Sequence, residues 1–184
     1  MRKAYIVIFL VLLADQALKI WVKTSFFLGE EIVFTDWCRL HFTENPGMAF
    51  GMELGGDYGK LVLSLFRIVA VTALFFWLRN LARQKAPTMA IISVALITAG
   101  ALGNIIDSAF YGLLFSDSFH GVATFLPEEG GYAGFLYGKV VDMFYFPLYD
   151  GILPDWLPFW GGQRFAFFQP IFNLADTSIS VGVG

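Results

Sequence analysis

The chain has 184 residues, 57% of them hydrophobic and only 15% charged, with a formal net charge of -3; that places it among membrane proteins and argues against nucleic acid as a partner. A single cysteine, Cys38, excludes an internal disulfide and a thiolate metal cage. His41 and His120 share no paired spacing, which argues against a catalytic zinc and leaves carboxylates to carry any hydrolysis.

Crossing the hydrocarbon takes about 20 mostly apolar residues in a helix. The first candidate span runs from about Ala4 to Val22 behind Arg2 and Lys3. It holds Asp15 and Lys19 and is followed by no small-x-small cleavage site, so it reads as a retained span rather than a signal peptide. Asp15 and Lys19 are spaced i, i+4 and read as a structural ion pair. The next segment, about 23–60, is acidic and poor in Lys and Arg. Between Glu30 and Glu53 it alternates in places and breaks at Asn45-Pro46-Gly47, which predicts a small β-structure with a turn.

The second span covers about Leu61 to Leu78; Arg67 lies toward its outer half and is assigned no role. A short basic loop, about 79–87, carries Arg79, Arg83 and Lys85. The third span covers about Thr88 to Tyr111, where Ala99, Gly100 and Gly103 allow close helix packing. The region of about 112–169 is rich in Gly, Pro, Phe and Trp, and Trp156, Trp160, Phe165, Phe167 and Phe168 suit a membrane–water interface. A fourth span starts near Pro170. Its 15 residues reach only about 22 Å, short of a core near 30 Å, and the pattern reads as truncated rather than as fitted to a thin bilayer. The positive-inside rule puts both termini and the short loop in the cytoplasm and both long segments outside. The predicted fold is thus an α-helical membrane protein with four transmembrane helices, a small periplasmic β-cradle and extended periplasmic loops.

Asn104-Ile105-Ile106-Asp107 closes span three, and Asn173-Leu174-Ala175-Asp176 opens span four; each spacing sets an amide beside a carboxylate. Asp142 lies in a short apolar stretch that returns to the same membrane face. Two close carboxylates in a low-dielectric site share a proton, and such a pair can activate water. Helix glue or a proton relay in a carrier fits the spacing equally well. A small carrier using Asp107, Asp142 and Asp176 is the alternative function, disfavoured because no inverted repeat is visible.

The motifs together resemble the lipoprotein signal peptidase (signal peptidase II) family. Asp15-Gln16-x-x-Lys19 is similar to its D-Q-x-x-K, and Asn45-Pro46-Gly47-Met48-Ala49-Phe50-Gly51 to its N-x-G-x-A-F-G. The segment Gly100–Asp107 resembles its G-A-x-G-N-x-x-D, Val140-Val141-Asp142 its V-V-D, and Phe172–Asp176 its F-N-x-A-D. The resemblance implies an intramembrane aspartyl protease, without cofactor or metal, that cuts prolipoproteins just before a cysteine carrying diacylglycerol. It implies a site near the periplasmic face of the bacterial inner membrane, reached among membrane lipids and open to globomycin-type inhibitors. The catalytic pair maps onto Asp142 and Asp176, with Asp107 in reserve. Asn45, Gly47, Asn104, Asp107 and Asn173 would bind substrate or orient the pair.

Two departures stand out. The family has Arg after the Asn-x-x-Asp of span three, whereas this chain has Ser108, which cannot make a bidentate charged contact. Arg164 and Lys139 are the candidate replacements. The outer segments on either side of Asp142 are also long, and the run holding Gly130, Gly131, Gly134 and Gly138 reads as a surface insertion, with a mobile flap as the second reading.

Overall fold

The computed structural model describes residues 1–46 and 56–184, without side chains for 56–58. The expected turn and site residue Gly47, with the Met48–Gly51 part of its motif, therefore lie outside the described residues.

Helix α1 (Arg2–Ser25) is a long apolar rod ended by the extended backbone of Phe26. Helices α2 (Gly56–Arg83) and α3 (Thr88–Ile106) form a tight antiparallel pair. Their turn is closed by the left-handed Lys85 (φ 52°), and Pro87 caps α3, where its missing N–H costs nothing. Beyond Ile106 the helix widens into a π turn, Asp107–Tyr111, and ends in α4 (Gly112–Leu114). Among the described residues, three helices are long and apolar enough to cross a membrane: Arg2–Ser25, Gly59–Arg83 and Thr88–Leu114.

The C-terminal segment differs from the expected fourth span. Ile171–Phe172 is a strand, and helix α5 runs only from Leu174 to Val183. Asn173 is the reason: its side chain accepts the Asp176 N–H while the Asp176 carboxylate accepts the Asn173 N–H, a capping box that starts the helix there. Helix α3 lies against α1, α2 and α5. Its glycines set the spacing: a Cβ on Gly100 would stand 2.1 Å from the Ala175 carbonyl oxygen.

A four-stranded antiparallel sheet covers one end of the helices in the order β1 (Glu31–Thr35), β2 (Cys38–Asn45), β3 (Val140–Tyr145) and β6 (Ile171–Phe172). Among the described residues, the predicted β-structure over Glu30–Glu53 supplies β1 and β2; the stretch holding Asp142 is a central strand, with Asp142 opposite Thr43 and Val140 opposite Asn45. Val22, Phe26, Leu40, Phe42, Tyr111 and Val141 fill the space between sheet and helix ends. A separate two-stranded ribbon, β4 (Tyr149–Ile152) and β5 (Arg164–Phe167), stands apart.

The glycine-rich insertion is docked rather than loose. Ala133 N–H donates to the Gly112 carbonyl (2.9 Å) and Gly138 N–H to that of Ser108 (2.8 Å). A Cβ on Gly131 or Gly138 would meet backbone oxygen at 2.1 or 2.2 Å. The insertion thus satisfies carbonyls along the widened turn and just beyond it.

Gly100→Ala is expected to force α3 from α5 and cost about 1–3 kcal/mol, as overpacking does. Gly134→Ala, where a Cβ meets nothing within 4 Å, is the neutral control. Thermal unfolding in detergent reads both; equal melting temperatures would refute the close α3–α5 packing.

Candidate active site

Four elements deliver the carboxylates to one place: α1 brings Asp15, the π turn Asp107, β3 Asp142 and α5 Asp176. Asp107 and Asp142 are buried, and Asp176 is half-buried at the mouth of the group.

Lys19 is the cation at the bottom. Its Nζ lies 3.0 Å from Asp15 and 2.8 Å from Asp107, and donates to Asn104 Oδ1 at 3.0 Å. The expected i, i+4 pair of Asp15 and Lys19 is present but is not self-contained. Gln16 Nε2 adds bonds to Asp107 (2.9 Å) and Asp15 (3.1 Å), and its oxygen accepts the Tyr111 hydroxyl (3.1 Å).

Each of these two acids holds a backbone N–H next to an acid of the outer pair. Asp15 Oδ1 accepts from Ala175 N (2.9 Å), the residue before Asp176. Asp107 Oδ2 accepts from Val141 N (3.3 Å), the residue before Asp142. Asp107 thus bonds the backbone of β3 directly beside Asp142.

Asn173 joins Asp142 to Asp176. Its Nδ2 donates to Asp142 Oδ1 at 2.6 Å and also reaches Asn104 Oδ1 (3.1 Å) and the Val141 carbonyl (3.3 Å); its own oxygen caps Asp176 N at 2.9 Å. Asn104 Nδ2 donates to Asp176 Oδ1 at 2.8 Å. Among the described residues no side-chain hydrogen bond joins Asn104 to Asp107; their side chains reach other elements instead. Asn45 hydrogen-bonds Asp142 from the end of β2. Burial first, and then the Asp176 charge, push the Asp142 carboxyl up to about 7. No cluster suited to a metal ion is found among the described residues.

Ser108 does not face the acids; its hydroxyl donates back to the Asn104 carbonyl (3.0 Å). The two candidate replacements for the missing arginine are engaged elsewhere, Arg164 with Asp150 (2.8 Å) and Lys139 with Glu44 (3.1 Å). Lys139, Lys23 and Ser118 enclose the Glu44 carboxylate, and Lys23 and Lys139 lie over the Tyr132 ring. Burial opposes charge on Glu44, yet these partners hold its carboxyl below the usual range. This cluster fixes the β2 residue before Asn45 to α1 and to the insertion. No short-range signal announces it, because its members are far apart in sequence.

Arg67 was also passed over. It shares a helix face with Ser64, whose hydroxyl donates to the Leu136 carbonyl (3.1 Å), and with Lys60, which donates to that of Tyr137. The charges acting on Arg67 are those of Asp176, then Asp142, then Asp107. A lone arginine in an apolar span was the available signal.

Residues 7–184 match a family model described as signal peptidase (SPase) II. A lipoprotein signal peptidase of Porphyromonas gingivalis is 54% identical over 177 residues, covering 96% of this chain and 77% of the relative. One from Amoebophilus asiaticus is 36% identical, covering 98% of this chain and 74% of its own. Among solved structures, a bacterial membrane enzyme determined in meso at 1.9 Å matches all of this chain and 88% of its own, with a TM-score of 0.61 and 22% identity, a likeness of fold.

Lys19→Met leaves two buried acids without their cation, and breaking such a group costs about 3–5 kcal/mol. The expected result is a large fall in melting temperature in detergent; Lys3→Met, on the exposed first turn, should leave it unchanged. Equal stability of the two variants would show that Lys19 does not hold the site together.

Proposed function

The chain belongs to the signal peptidase II family, and from that premise we propose that Asp142 and Asp176 are the catalytic pair of an intramembrane aspartyl endopeptidase. The family makes the protein a membrane protease of lipoprotein processing, which removes signal peptides from prolipoproteins and sets aside the carrier reading. The proposal extends to the cleavage point, the bond before a diacylglyceryl-modified cysteine.

One observation carries the assignment. A single side chain, Asn173, donates to Asp142 and caps Asp176, so two acids from different elements are held to one spot. A buried carboxyl near pH 7 beside a second carboxylate suits a pair that shares one proton. The ionised member takes a proton from water as its oxygen attacks the scissile carbonyl. The protonated member donates to the developing oxyanion, and a proton then passes to the leaving amine of the cysteine. The pair titrates as a unit, so the two roles are not fixed to individual residues.

Asn104 and Asn173 orient the pair, and Asn45 joins it from the sheet. Gly47, outside the described residues, is assigned to substrate binding on its motif alone. A helical substrate hides its carbonyls in its own hydrogen bonds, so the peptide must be extended at the sheet while its lipid stays among membrane lipids. Arg2, Lys3, Arg79, Arg83 and Lys85 lie at the helix ends remote from the sheet, which supports a site near the periplasmic face of the inner membrane. On this reading α5 belongs to a fourth crossing, and globomycin-type inhibitors occupy the same acids.

The test is cleavage of a diacylglyceryl-modified prolipoprotein by purified protein in lipid. Asp142→Asn and Asp176→Asn should each lower the rate at least about 100-fold, since each removes the acid–base function. Wild-type turnover by either variant, with folding intact, would remove that residue from the pair.

The pH profile gives a separate check. The reactive pair holds one proton, so with the Asp142 carboxyl raised to about 7 cleavage should decline as pH rises above neutrality. Arg67→Gln removes a cation that favours the fully ionised pair, so the alkaline limb should move to higher pH, while Arg67→Lys should restore it. An unmoved limb in Arg67→Gln would show that this guanidinium does not act on the pair.

A further inference from the structure

The ribbon of β4 and β5 makes no hydrogen bond to the acids among the described residues, yet it and its tip expose a run of large apolar side chains. Pairing sets Tyr149 opposite Phe167 and Gly151 opposite Phe165, so these residues share one face. Asp150 and Arg164 lie on the other face, joined by two hydrogen bonds of 2.9 and 2.8 Å. The ribbon is therefore amphipathic, with its charge neutralised on one side and aromatic rings on the other. Phe165 stacks on Phe167 (6.5 Å, 12° between planes) and lies beside Tyr149 (6.2 Å).

Among the described residues nothing covers that face: Tyr149, Phe165 and Phe167 are exposed. At the tip, Trp156 is 78% and Phe159 94% exposed, with Trp160 beside them. The tip is nonetheless built, with Leu153 N–H donating to the Gln163 carbonyl (2.9 Å) and Gly162 N–H to that of Leu153 (3.0 Å). A two-stranded ribbon alone is marginal in water, and an uncovered aromatic face makes it more so.

Its base tells where it lies. Phe168 packs edge-on against Phe172 (6.0 Å), and Phe146 against the same ring (5.5 Å). Phe172 is two residues before α5, so both ends of the ribbon are tied to the level at which the helices begin. Phe167 is seven residues from Leu174, a reach of at most about 23 Å. Aromatic side chains on one face and at the tip, pairing of Asp150 with Arg164 on the other face and attachment at helix-end level all match the chemistry of a lipid headgroup boundary.

We propose that the Tyr149–Phe167 hairpin is a lipid-docking element, laying its aromatic face and its Trp156–Trp160 tip into the membrane interface on the sheet's side of the protein. The proposal rests on membrane residence alone and stands whether or not Asp142 and Asp176 are the catalytic pair.

The test places a nitroxide label on the full chain in phosphatidylethanolamine–phosphatidylglycerol vesicles, in a Cys38→Ser background. Phe159→Cys is the probe. Phe66→Cys, on the exposed face of α2, is the lipid reference, and Glu129→Cys, in an exposed turn, is the water reference. Collision with oxygen and with a water-soluble nickel chelate is measured at each position. The probe should resemble the lipid reference, with nickel access at least about threefold below that of the water reference, as expected for burial in the headgroup and acyl boundary. Nickel access equal to the water reference would overturn the proposal. Protection in native membranes but not in pure lipid vesicles would overturn it in favour of a protein partner. Phe159 is nearly fully exposed, so its replacement should not disturb folding.

Discussion

The geometry of the site depends on neutralising two buried acids with one lysine. Asp15 and Asp107 have no access to bulk water, and without Lys19 between them their charges would repel in a low-dielectric setting. Once neutralised, each acid accepts one backbone N–H from the residue preceding Asp176 or Asp142. The lysine on α1 thereby sets the positions of a strand and a helix more than 120 residues further along the chain. A buried ion group is weak evidence of net stability, but here its directional bonds fix where two backbones start. Gly103 belongs to the same constraint, since a Cβ there would stand 2.7 Å from an Asp15 carboxylate oxygen.

That dependence explains which parts of the site could be read from sequence. The spans announce themselves through apolar length, and the outer pair through the family motifs. Asp15 and Lys19, by contrast, read as a local i, i+4 pair, because the partners that give them their purpose lie on α3, the π turn and α5. Asp142 stood in a run too short and too uniformly apolar for its period to show, since Val140 to Met143 are buried on both faces of a central strand. The start of α5 was more accessible. Asn173 followed three residues later by Asp176 is a cap signature, and giving it weight over the apolar run from Pro170 would have placed the helix start at Leu174.

The π turn shows how the insertion serves the site. Asp107 must point its carboxylate at Lys19 and the Val141 N–H while the chain continues toward Tyr111, whose hydroxyl steadies Gln16. Widening the helix there leaves carbonyls facing outward, and backbone N–H groups of the 133–138 stretch meet them. Glycine at 131 and 138 permits that approach, because any side chain would collide with the turn. Repeated glycines suit a mobile segment as well as a packed insertion, and here Gly131 and Gly138 serve close contact while a Cβ on Gly130 or Gly134 would meet nothing within 4 Å. The two uses look alike in composition and differ only in what lies opposite.

The exchange of the family arginine for Ser108 follows the same logic of distributed support. The serine hydroxyl turns back onto its own helix, so α3 offers no cation at that position. Positive charge instead approaches from two other helices, Lys19 on α1 beneath the acids and Arg67 on α2 beside them. Lys19 does so through direct ion pairs to Asp15 and Asp107, and the charges acting on Arg67 are those of Asp176, Asp142 and Asp107, so both cations bear on the proton affinity of the acids. Asn173 then becomes the element that holds geometry. It is neutral, its side-chain donors and acceptor are all engaged, and it orients both acids while its bond to Asp142 favours that acid's ionised form. Orientation of the pair by Asn173 and neutralisation of the acids beneath it by Lys19 therefore both proceed without a cation at position 108.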